Sequence, residues 1–139
     1  MRILIVDDEP GTLNALNVAF TSLGYPVKTA TGGRNALNII QSSLNGDEPI
    51  ELLLTDLRMP VMNGYELIRS ARKLDPTLPT MLMTAYGEND IQKETLKLGH
   101  SEYIEKPFKP EMLLKKIRKI ELDVGRKVEQ GANPRTQTD

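Results

Sequence analysis

Short hydrophobic segments along the chain predict five strands. Residues 3–6, 52–54 and 81–83 are continuous apolar runs of strand length. Runs that are apolar on both faces are typical of parallel strands covered by helices on each side. Residues 27–30 and 102–105 are less apolar and predict weaker strands nearer an edge of the same sheet.

Between the predicted strands, apolar residues recur with the spacing of a helix face. The stripes are Leu13, Leu16, Phe20 and Leu23; Ala36, Leu37, Ile40 and Leu44; Leu67, Ile68, Ala71 and Leu74; the thinner Ile91, Thr95 and Leu98; and Leu113, Ile117 and Ile120. Glycine or proline follows each of the first four stripes, where a helix would end before the next strand. The alternation predicts an α/β fold of (βα)5 type, a parallel sheet with helices on both faces.

The apolar pattern weakens after Glu121, which sets the expected end of the folded domain. We expect a domain over residues 1–121 and a polar tail or linker over residues 122–139. Val124 and Val128 continue the stripe of the fifth helix, so the tail is expected to begin as helix, although Gly125 costs about 1 kcal/mol relative to alanine inside a helix. Residues 131–139 contain no core-forming side chains and are expected to be disordered.

Composition restricts the classes of function. The 139-residue chain is 39% hydrophobic and 27% charged, which is ordinary for a soluble globular domain. Its 18 basic and 19 acidic side chains nearly cancel, so general attraction to nucleic acid or to a membrane surface is not expected. The absence of cysteine excludes disulfides and thiolate metal sites. The N-terminal apolar run is too short for a signal peptide or a membrane span, which favours a cytoplasmic protein.

Polar side chains lie at the carboxyl ends of four of the predicted strands. The first strand is followed by Asp7-Asp8-Glu9, the third ends in Thr55-Asp56, the fourth in Thr84-Ala85 and the fifth in Glu105-Lys106-Pro107. In a doubly wound sheet, ligands bind beyond the carboxyl ends of the strands, where the strand order reverses. We therefore expect carboxylates, a hydroxyl and an ammonium group to meet in one pocket.

Such a pocket suits a cation and phosphoryl transfer. Carboxylates held close together repel one another unless a cation joins them, and ligands that are all oxygen favour Mg²⁺. Phosphoryl transfer depends mostly on positioning and on neutralising the charge of the transferred group, which a metal ion and a lysine can provide. An aspartate can act as the nucleophile and become an aspartyl phosphate.

In these motifs the sequence resembles the receiver domains of two-component response regulators over residues 1–121. The resemblance is carried by Ile5-Val6-Asp7-Asp8-Glu9, Asp56-Leu57-Arg58-Met59-Pro60-Val61-Met62-Asn63-Gly64, Thr84-Ala85-Tyr86-Gly87 and Tyr103-Ile104-Glu105-Lys106-Pro107-Phe108, in that order. The expected fold is therefore flavodoxin-like, a doubly wound five-stranded parallel sheet with strand order 2-1-3-4-5.

The resemblance also implies a role for individual residues. Asp56 would accept a phosphoryl group from a histidine kinase or a phosphorelay protein, in a reaction that depends on Mg²⁺. Asp8, Asp56 and the backbone carbonyl of Arg58 would bind the ion, and Asp7 would act through a water. Lys106 would contact the phosphoryl group, Thr84 would hydrogen-bond it after transfer, and Tyr103 would turn inward. The Lys106-Pro107 peptide would be cis.

Taken singly, each of these residues has an ordinary interpretation. Asp7-Asp8-Glu9-Pro10 could begin a helix, and Asp56 could form a turn before Pro60. Thr84 could be a strand hydroxyl, Lys106 a surface charge and Tyr103 an aromatic residue on an edge strand. These interpretations do not explain why each residue ends a strand, so the joint site is favoured. His100 is expected at the surface, and Met59, Met62, Met81 and Met83 are expected to pack rather than bind a ligand.

Two other functions use a related fold or chemistry. A phosphatase of the haloacid dehalogenase type also forms an aspartyl phosphate, but its motif has a second aspartate where Arg58 follows Asp56. A flavodoxin-like cofactor-binding protein needs a phosphate loop after the first strand, where this chain has three acidic residues that would repel phosphate. We therefore expect a protein that is not an enzyme for external substrates and that catalyses only its own phosphorylation and dephosphorylation.

Two large side chains flank the expected reaction centre. Arg58 lies two residues after Asp56, and Tyr86 lies two residues after Thr84. Either side chain could hinder the water that hydrolyses the aspartyl phosphate. We therefore predict that Arg58 and Tyr86 lengthen the life of the phosphorylated state.

The output is expected on a surface formed by the fourth helix, the fifth strand and the fifth helix, next to Tyr103. This surface should hold Lys93, Lys97, His100, Lys115 and Lys119, together with Glu94, Glu102 and Glu111. Mixed charge of this kind can pair with itself about a two-fold axis. We expect a homodimer through this surface or contact with a protein target or output domain, and no direct binding to nucleic acid or membranes.

Overall fold

The computed structural model describes residues 1–129, with side chains described to residue 124. Five strands alternate with five helices, as the hydrophobic pattern predicts. The strands are β1 (Ile3–Val6), β2 (Val27–Ala30), β3 (Leu52–Asp56), β4 (Thr80–Ala85) and β5 (Ser101–Lys106). The helices are α1 (Pro10–Ser22), α2 (Gly33–Leu44), α3 (Gly64–Leu74), α4 (Asn89–Lys97) and α5 (Pro110–Glu129).

The strands form one parallel sheet in the order β2-β1-β3-β4-β5, which confirms the predicted topology. β1 pairs with β2 on one side and with β3 on the other. After β1 the chain adds β2 on one side of it, and all later strands are added on the other side, so the strand order reverses between β1 and β3. In an open α/β sheet this reversal leaves a crevice beyond the carboxyl ends of the two strands.

Both faces of the sheet are buried, as continuous apolar strands require. Leu4, Leu53 and Leu82 belong to a core cluster that also includes side chains of α2 and α3. Ile5 and Leu54 point to the opposite face and are equally buried. Met59, Met81 and Met83 are buried and Met62 packs against the core cluster, which confirms the packing role predicted for the methionines.

The first three helix stripes are buried except at their last residues. Leu23, Leu44 and Leu74 are substantially exposed, whereas the residues before them in each stripe are buried or half-buried. A helix of 12 residues is about 18 Å long, but a strand of four residues covers only about 13 Å. The last turns of α1 and α2 therefore extend beyond the four-residue strands β1 and β2 that they pack against.

One arginine joins three elements on one side of the fold. Arg72 of α3 donates to the carbonyl oxygen of Pro76 at 2.9 Å and to those of Leu98 and Gly99, just beyond α4, at 3.2 and 2.5 Å. It also donates to Ser101 Oγ, at the start of β5, at 3.2 Å. A cation is favourable here because the last carbonyl groups of a helix carry partial negative charge.

The chain divides into two compact units, residues 1–107 with the sheet and a second unit that begins at Phe108. In the second unit α5 buries Leu113 and Ile117 and continues past residue 121 to Glu129. The disorder predicted for residues 131–139 lies outside the described residues, and the domain boundary at residue 121 stays a prediction. The Lys106-Pro107 peptide is cis, as expected. No helix among the described residues is both long enough and apolar enough to cross a membrane.

Candidate functional site

Three carboxylates meet at the carboxyl ends of β1 and β3. Asp7, Asp8 and Asp56 each place one carboxylate oxygen within 4.8 Å of the other two. Asp7 and Asp56 are buried, whereas Asp8 is exposed. The parallel register pairs Val6 with Thr55, so the residues that follow these two necessarily lie side by side. The prediction that these acids converge is confirmed.

Lys106 reaches this cluster from the end of β5. Its Nζ donates a hydrogen bond to Asp56 Oδ1 at 3.0 Å and lies 3.5 Å from Asp7 Oδ2. β4 separates β5 from β3, so a shorter side chain at this position would not span the distance. The long lysine side chain therefore brings the fourth charged group into the pocket.

Burial and charge alter the pKa values of two of these groups. Burial raises the pKa of Asp56, and the nearby Asp7 and Asp8 carboxylates raise it further, against the lowering effect of Lys106. Burial alone would lower the pKa of Lys106, but its hydrogen bond to Asp56 and the charges of Asp56 and Asp7 outweigh burial and raise it. Lys106 is therefore a cation at neutral pH. Ionisation of the Asp56 carboxyl is less favourable in the folded protein than in water, and a further cation beside it would make its ionisation more favourable.

The donor set fits a small hard cation. Asp7 Oδ1 accepts a hydrogen bond from the Glu9 amide at 2.9 Å. Asp7 Oδ2 is buried and accepts no hydrogen bond from any residue that the structure describes. A buried carboxylate oxygen without a donor is costly, and oxygen-only ligands are those that Mg²⁺ prefers. The three carboxylates are consistent with the predicted magnesium site.

Thr84 lies at the same edge of the sheet, near the end of β4, and is 1% exposed. Its Oγ1 accepts a hydrogen bond from Gln92 Nε2 of α4 at 2.9 Å, and Gln92 is itself 5% exposed. The sequence gives only a faint signal for this contact, because α4 has a thin apolar stripe and its buried positions are the polar Gln92 and Thr95. The role predicted for Thr84 stays a prediction.

Arg58 joins two loops at the rim of the site. Its guanidinium pairs with the Glu88 carboxylate, while its side chain remains 78% exposed. The other oxygen of Glu88 accepts the Ala85 amide, just past Thr84, at 2.6 Å. Tyr86 is 89% exposed. Of the two side chains predicted to shield the phosphate, one is thus held by Glu88 and the other extends into solvent.

Gly64 allows α3 to begin directly against the backbone of Asp56. A Cβ atom at this position would lie 2.1 Å from the carbonyl oxygen of Asp56. The Gly64 amide donates to Leu57 O at 2.9 Å, and a capping box between Asn63 and Glu66 fixes the start of the helix. The motif around Gly64 is visible in the sequence, but this close approach is not.

The predicted output surface divides between the two units. In the first unit Tyr103 is half-buried and packs against the core cluster, while Lys93, Glu94 and Lys97 on α4 and His100 beyond it are exposed. Lys97 pairs with Glu94 of the same helix at 3.1 Å. Glu102 on β5 is half-buried, and Glu111, Lys115 and Lys119 on α5 are exposed. The surface location of His100 is confirmed; the dimer stays a prediction.

The sequence matches the family model of the response regulator receiver domain over residues 3–118. It is 36% identical over 107 residues to Sporulation initiation phosphotransferase F of Bacillus subtilis (strain 168), which covers 77% of this chain and 82% of that protein. It is 37% identical over 107 residues to Regulatory protein AtoC of Escherichia coli (strain K12), which covers 77% of this chain but 22% of that protein. The chain therefore spans most of one relative and about a fifth of the other.

Solved structures show the same fold. A CheY-like response regulator receiver domain protein from Methanospirillum hungatei JF-1 has a TM-score of 0.78 and 34% identity, covering 91% of this chain and 96% of that one. A response regulator receiver domain protein from Clostridium thermocellum has a TM-score of 0.82 and 27% identity, covering 93% and 98% of the two chains.

Proposed function

This chain belongs to the family of response regulator receiver domains, and from that premise we propose that Asp56 is the side chain that accepts the phosphoryl group. Receiver domains are the phosphoacceptor modules of two-component signal transduction and are generally not classical enzymes. The observation that carries the assignment is the position of the buried Asp56 carboxylate, next to Asp7 and Asp8, which follow β1, and to the ammonium group of Lys106.

The chemistry forms one bond and breaks another. Asp56 Oδ1 is bonded to Lys106, which leaves Oδ2 as the nucleophile. Oδ2 attacks the phosphorus atom of a phosphohistidine on a histidine kinase or phosphotransfer protein. The new O–P bond forms as the P–N bond breaks, and the electron pair leaves with the imidazole nitrogen. Water later hydrolyses the aspartyl phosphate and restores Asp56, so the chain catalyses only reactions of its own side chain.

Asp7, Asp8 and Asp56, with the Arg58 carbonyl, would hold Mg²⁺, and Asp7 would act through a water. When bound, the ion supplies charge neutralisation for the phosphoryl oxygens. Lys106 also stabilises negative charge there, because its ammonium group already lies 3.0 Å from the acceptor carboxylate. After transfer, the Thr84 hydroxyl donates a hydrogen bond to the phosphoryl group. Tyr103 then turns inward, which changes the α4–β5 surface.

Two relatives support two settings for this domain. The Bacillus relative is named a phosphotransferase and has nearly the length of this chain, which favours a role in a phosphorelay. The Escherichia relative is named a regulatory protein and is several times longer, which favours a receiver joined to an output domain. In either setting the phosphorylated domain acts through protein contacts, by a homodimer or with a separate target. The expected cytoplasmic location stays a prediction.

Phosphorylation of the purified protein tests the assignment. With acetyl phosphate and Mg²⁺, intact-protein mass spectrometry should detect one added phosphoryl group on the wild type and on Asp47→Ala, an exposed acid outside the site. Asp56→Ala should remain unlabelled, and EDTA should prevent labelling of the wild type. Labelling of Asp56→Ala to the wild-type level would refute the assignment.

A further inference from the structure

Gln92 is a buried polar residue on α4 whose amide contacts one site residue. The helix carries exposed charged residues on one side and buries Gln92 and Thr95 on the other. Thr95 satisfies its hydroxyl within the helix, by donating to the Ile91 carbonyl at 2.7 Å. Gln92 instead donates outward, to Thr84 Oγ1 at 2.9 Å. A buried amide needs such a partner, because an unpaired buried donor is strongly unfavourable.

This bond restricts what Thr84 can do. A threonine hydroxyl has one proton to donate and two lone pairs that accept. Gln92 occupies a lone pair, so it leaves the proton of Thr84 available but fixes the position of the oxygen. If Thr84 moves toward a phosphoryl group on Asp56, the oxygen leaves Gln92 and the buried amide loses its partner. The resting arrangement is thereby favoured.

The same contact joins α4 to the end of β4. The backbone N–H of Gln92 donates to the Glu88 carbonyl oxygen at 3.1 Å, and the Glu88 carboxylate accepts a hydrogen bond from the backbone N–H of Ala85. Thr84 and Ala85, adjacent on β4, are therefore each bonded to a residue at the start of α4. Glu88 precedes α4, whereas Gln92 lies within it. Release of Thr84 therefore breaks the side-chain hydrogen bond between β4 and α4 itself.

We propose that Gln92 is a positioning residue that holds Thr84 in its resting place and thereby sets how readily this domain responds to a phosphoryl group. The proposal rests on the proposed function of Asp56 and Thr84. Gln92 contacts neither the acceptor nor the cation ligands in any bond that the described residues make. It acts through Thr84 alone.

Two substitutions at Gln92 separate this role from simple packing. Gln92→Met keeps the length of the side chain and removes the hydrogen-bond donor. Thr84 can then move toward a phosphoryl group on Asp56 without breaking a bond to residue 92. Gln92→Glu replaces the donor by an acceptor. The carboxylate accepts the hydrogen bond of the Thr84 hydroxyl and so competes with the phosphoryl group for it. Loss of a buried hydrogen bond that exists in one state shifts an equilibrium by about tenfold. The two variants should therefore move the response in opposite directions.

The experiment is a titration with beryllium fluoride and Mg²⁺, followed by backbone amide NMR of Thr84 and Ala85. Gln92→Met should reach its midpoint at about tenfold lower beryllium fluoride than wild type, and Gln92→Glu at a higher concentration. Before titration, the Thr84 and Ala85 signals of Gln92→Met should already lie displaced toward their bound positions. In a Thr84→Val background, Gln92→Met should leave the midpoint unchanged.

Each result bears on a separate claim. Absence of binding to the wild-type protein would overturn the proposed function of the site. Binding to wild type with the same midpoint in Gln92→Met would overturn the role of Gln92 and leave the proposed function intact. A midpoint that shifts equally in the Thr84→Val background would also overturn it, because the effect would not pass through Thr84. If Gln92→Met fails to fold, a Gln92→Glu midpoint at or below that of wild type would overturn the role.

Discussion

Replacing Gly64 by alanine would test the close approach of α3 to Asp56. The added Cβ would lie 2.1 Å from the Asp56 carbonyl oxygen and 2.8 Å from Leu82 Cδ1. Even a short carbon–oxygen contact in proteins is about 3.3 Å. A gap of about 1 Å must therefore open between α3 and β3. Because the obstacle is backbone, no rotation of a side chain can relieve it.

The cost follows from what the displacement breaks. Overpacking of this kind destabilises a protein by about 1–3 kcal/mol. Moving the start of α3 also stretches the bond from the Gly64 amide to Leu57 O, worth about 1 kcal/mol. The better helix propensity of alanine returns up to about 1 kcal/mol. We therefore expect a net loss of about 2 kcal/mol, and a fall in the rate of phosphorylation of up to about 100-fold if Asp56 moves by 1 Å.

Urea denaturation and labelling with acetyl phosphate measure the two effects, and two other glycines supply controls. Alanine at Gly11 in α1 meets no atom within 4 Å and should stabilise the protein by about 0.5–1 kcal/mol. Alanine at Gly33 would approach Met62 Sδ at 2.6 Å and Met62 Cβ at 3.1 Å. The flexible thioether can turn away and the Cβ contact needs a shift of only a few tenths of an ångström, so the cost should be smaller than at Gly64. Wild-type stability and wild-type labelling of Gly64→Ala would refute the reasoning.

Three further changes test other parts of the site region. Asn63→Ala should cost about 1 kcal/mol in urea denaturation, because it removes the capping box of α3, and no loss would contradict that role. Val61→Gly should raise stability by about 1 kcal/mol, because Val61 has φ of 70° and is fully exposed; a lower midpoint would count against strain. Asp56→Asn should raise the melting temperature at pH 7 without Mg²⁺, since the folded state raises the pKa of Asp56 and disfavours its charge. That gain should shrink as the pH falls through the raised pKa of Asp56 and vanish below the usual value of 3.8, where the carboxyl is protonated in both states; a gain independent of pH would contradict it.

The sequence was sufficient to predict the topology and the meeting of the charged groups. Residues 3–6 and 27–30 are strands as predicted. A run of four apolar or alternating residues between turn signals is typical of a strand and too short for a helix. Once the strands are parallel and β1 and β3 are neighbours, Asp7 and Asp56 lie side by side, and the long side chain of Lys106 reaches them from β5 across β4. This part of the site follows from topology and does not depend on the details of packing.

The contacts around Thr84 and Arg58 could not be predicted in the same way. Burial of Gln92 depends on how α4 is rotated, and periodicity of apolar residues does not detect a polar residue on a buried face. The direction of Arg58 depends on Glu88, which lies thirty residues away and belongs to another loop. Such pairings are set by side-chain rotamers in three dimensions, for which the linear pattern contains no rule.

The bonds made by Arg72 determine how α4 can move. At its C-terminal end the helix is held by a guanidinium that binds the carbonyl groups of Leu98 and Gly99, and hydrogen bonds to a charged group are about twice as strong as neutral ones. At its first turn it is held through the neutral bond from Gln92 to Thr84 and the Glu88 carboxylate. Both ends of α4 are therefore tied by charged groups, Arg72 at one end and Glu88 at the other. We expect that release of Thr84 would loosen the first turn of α4 without detaching either end of the helix.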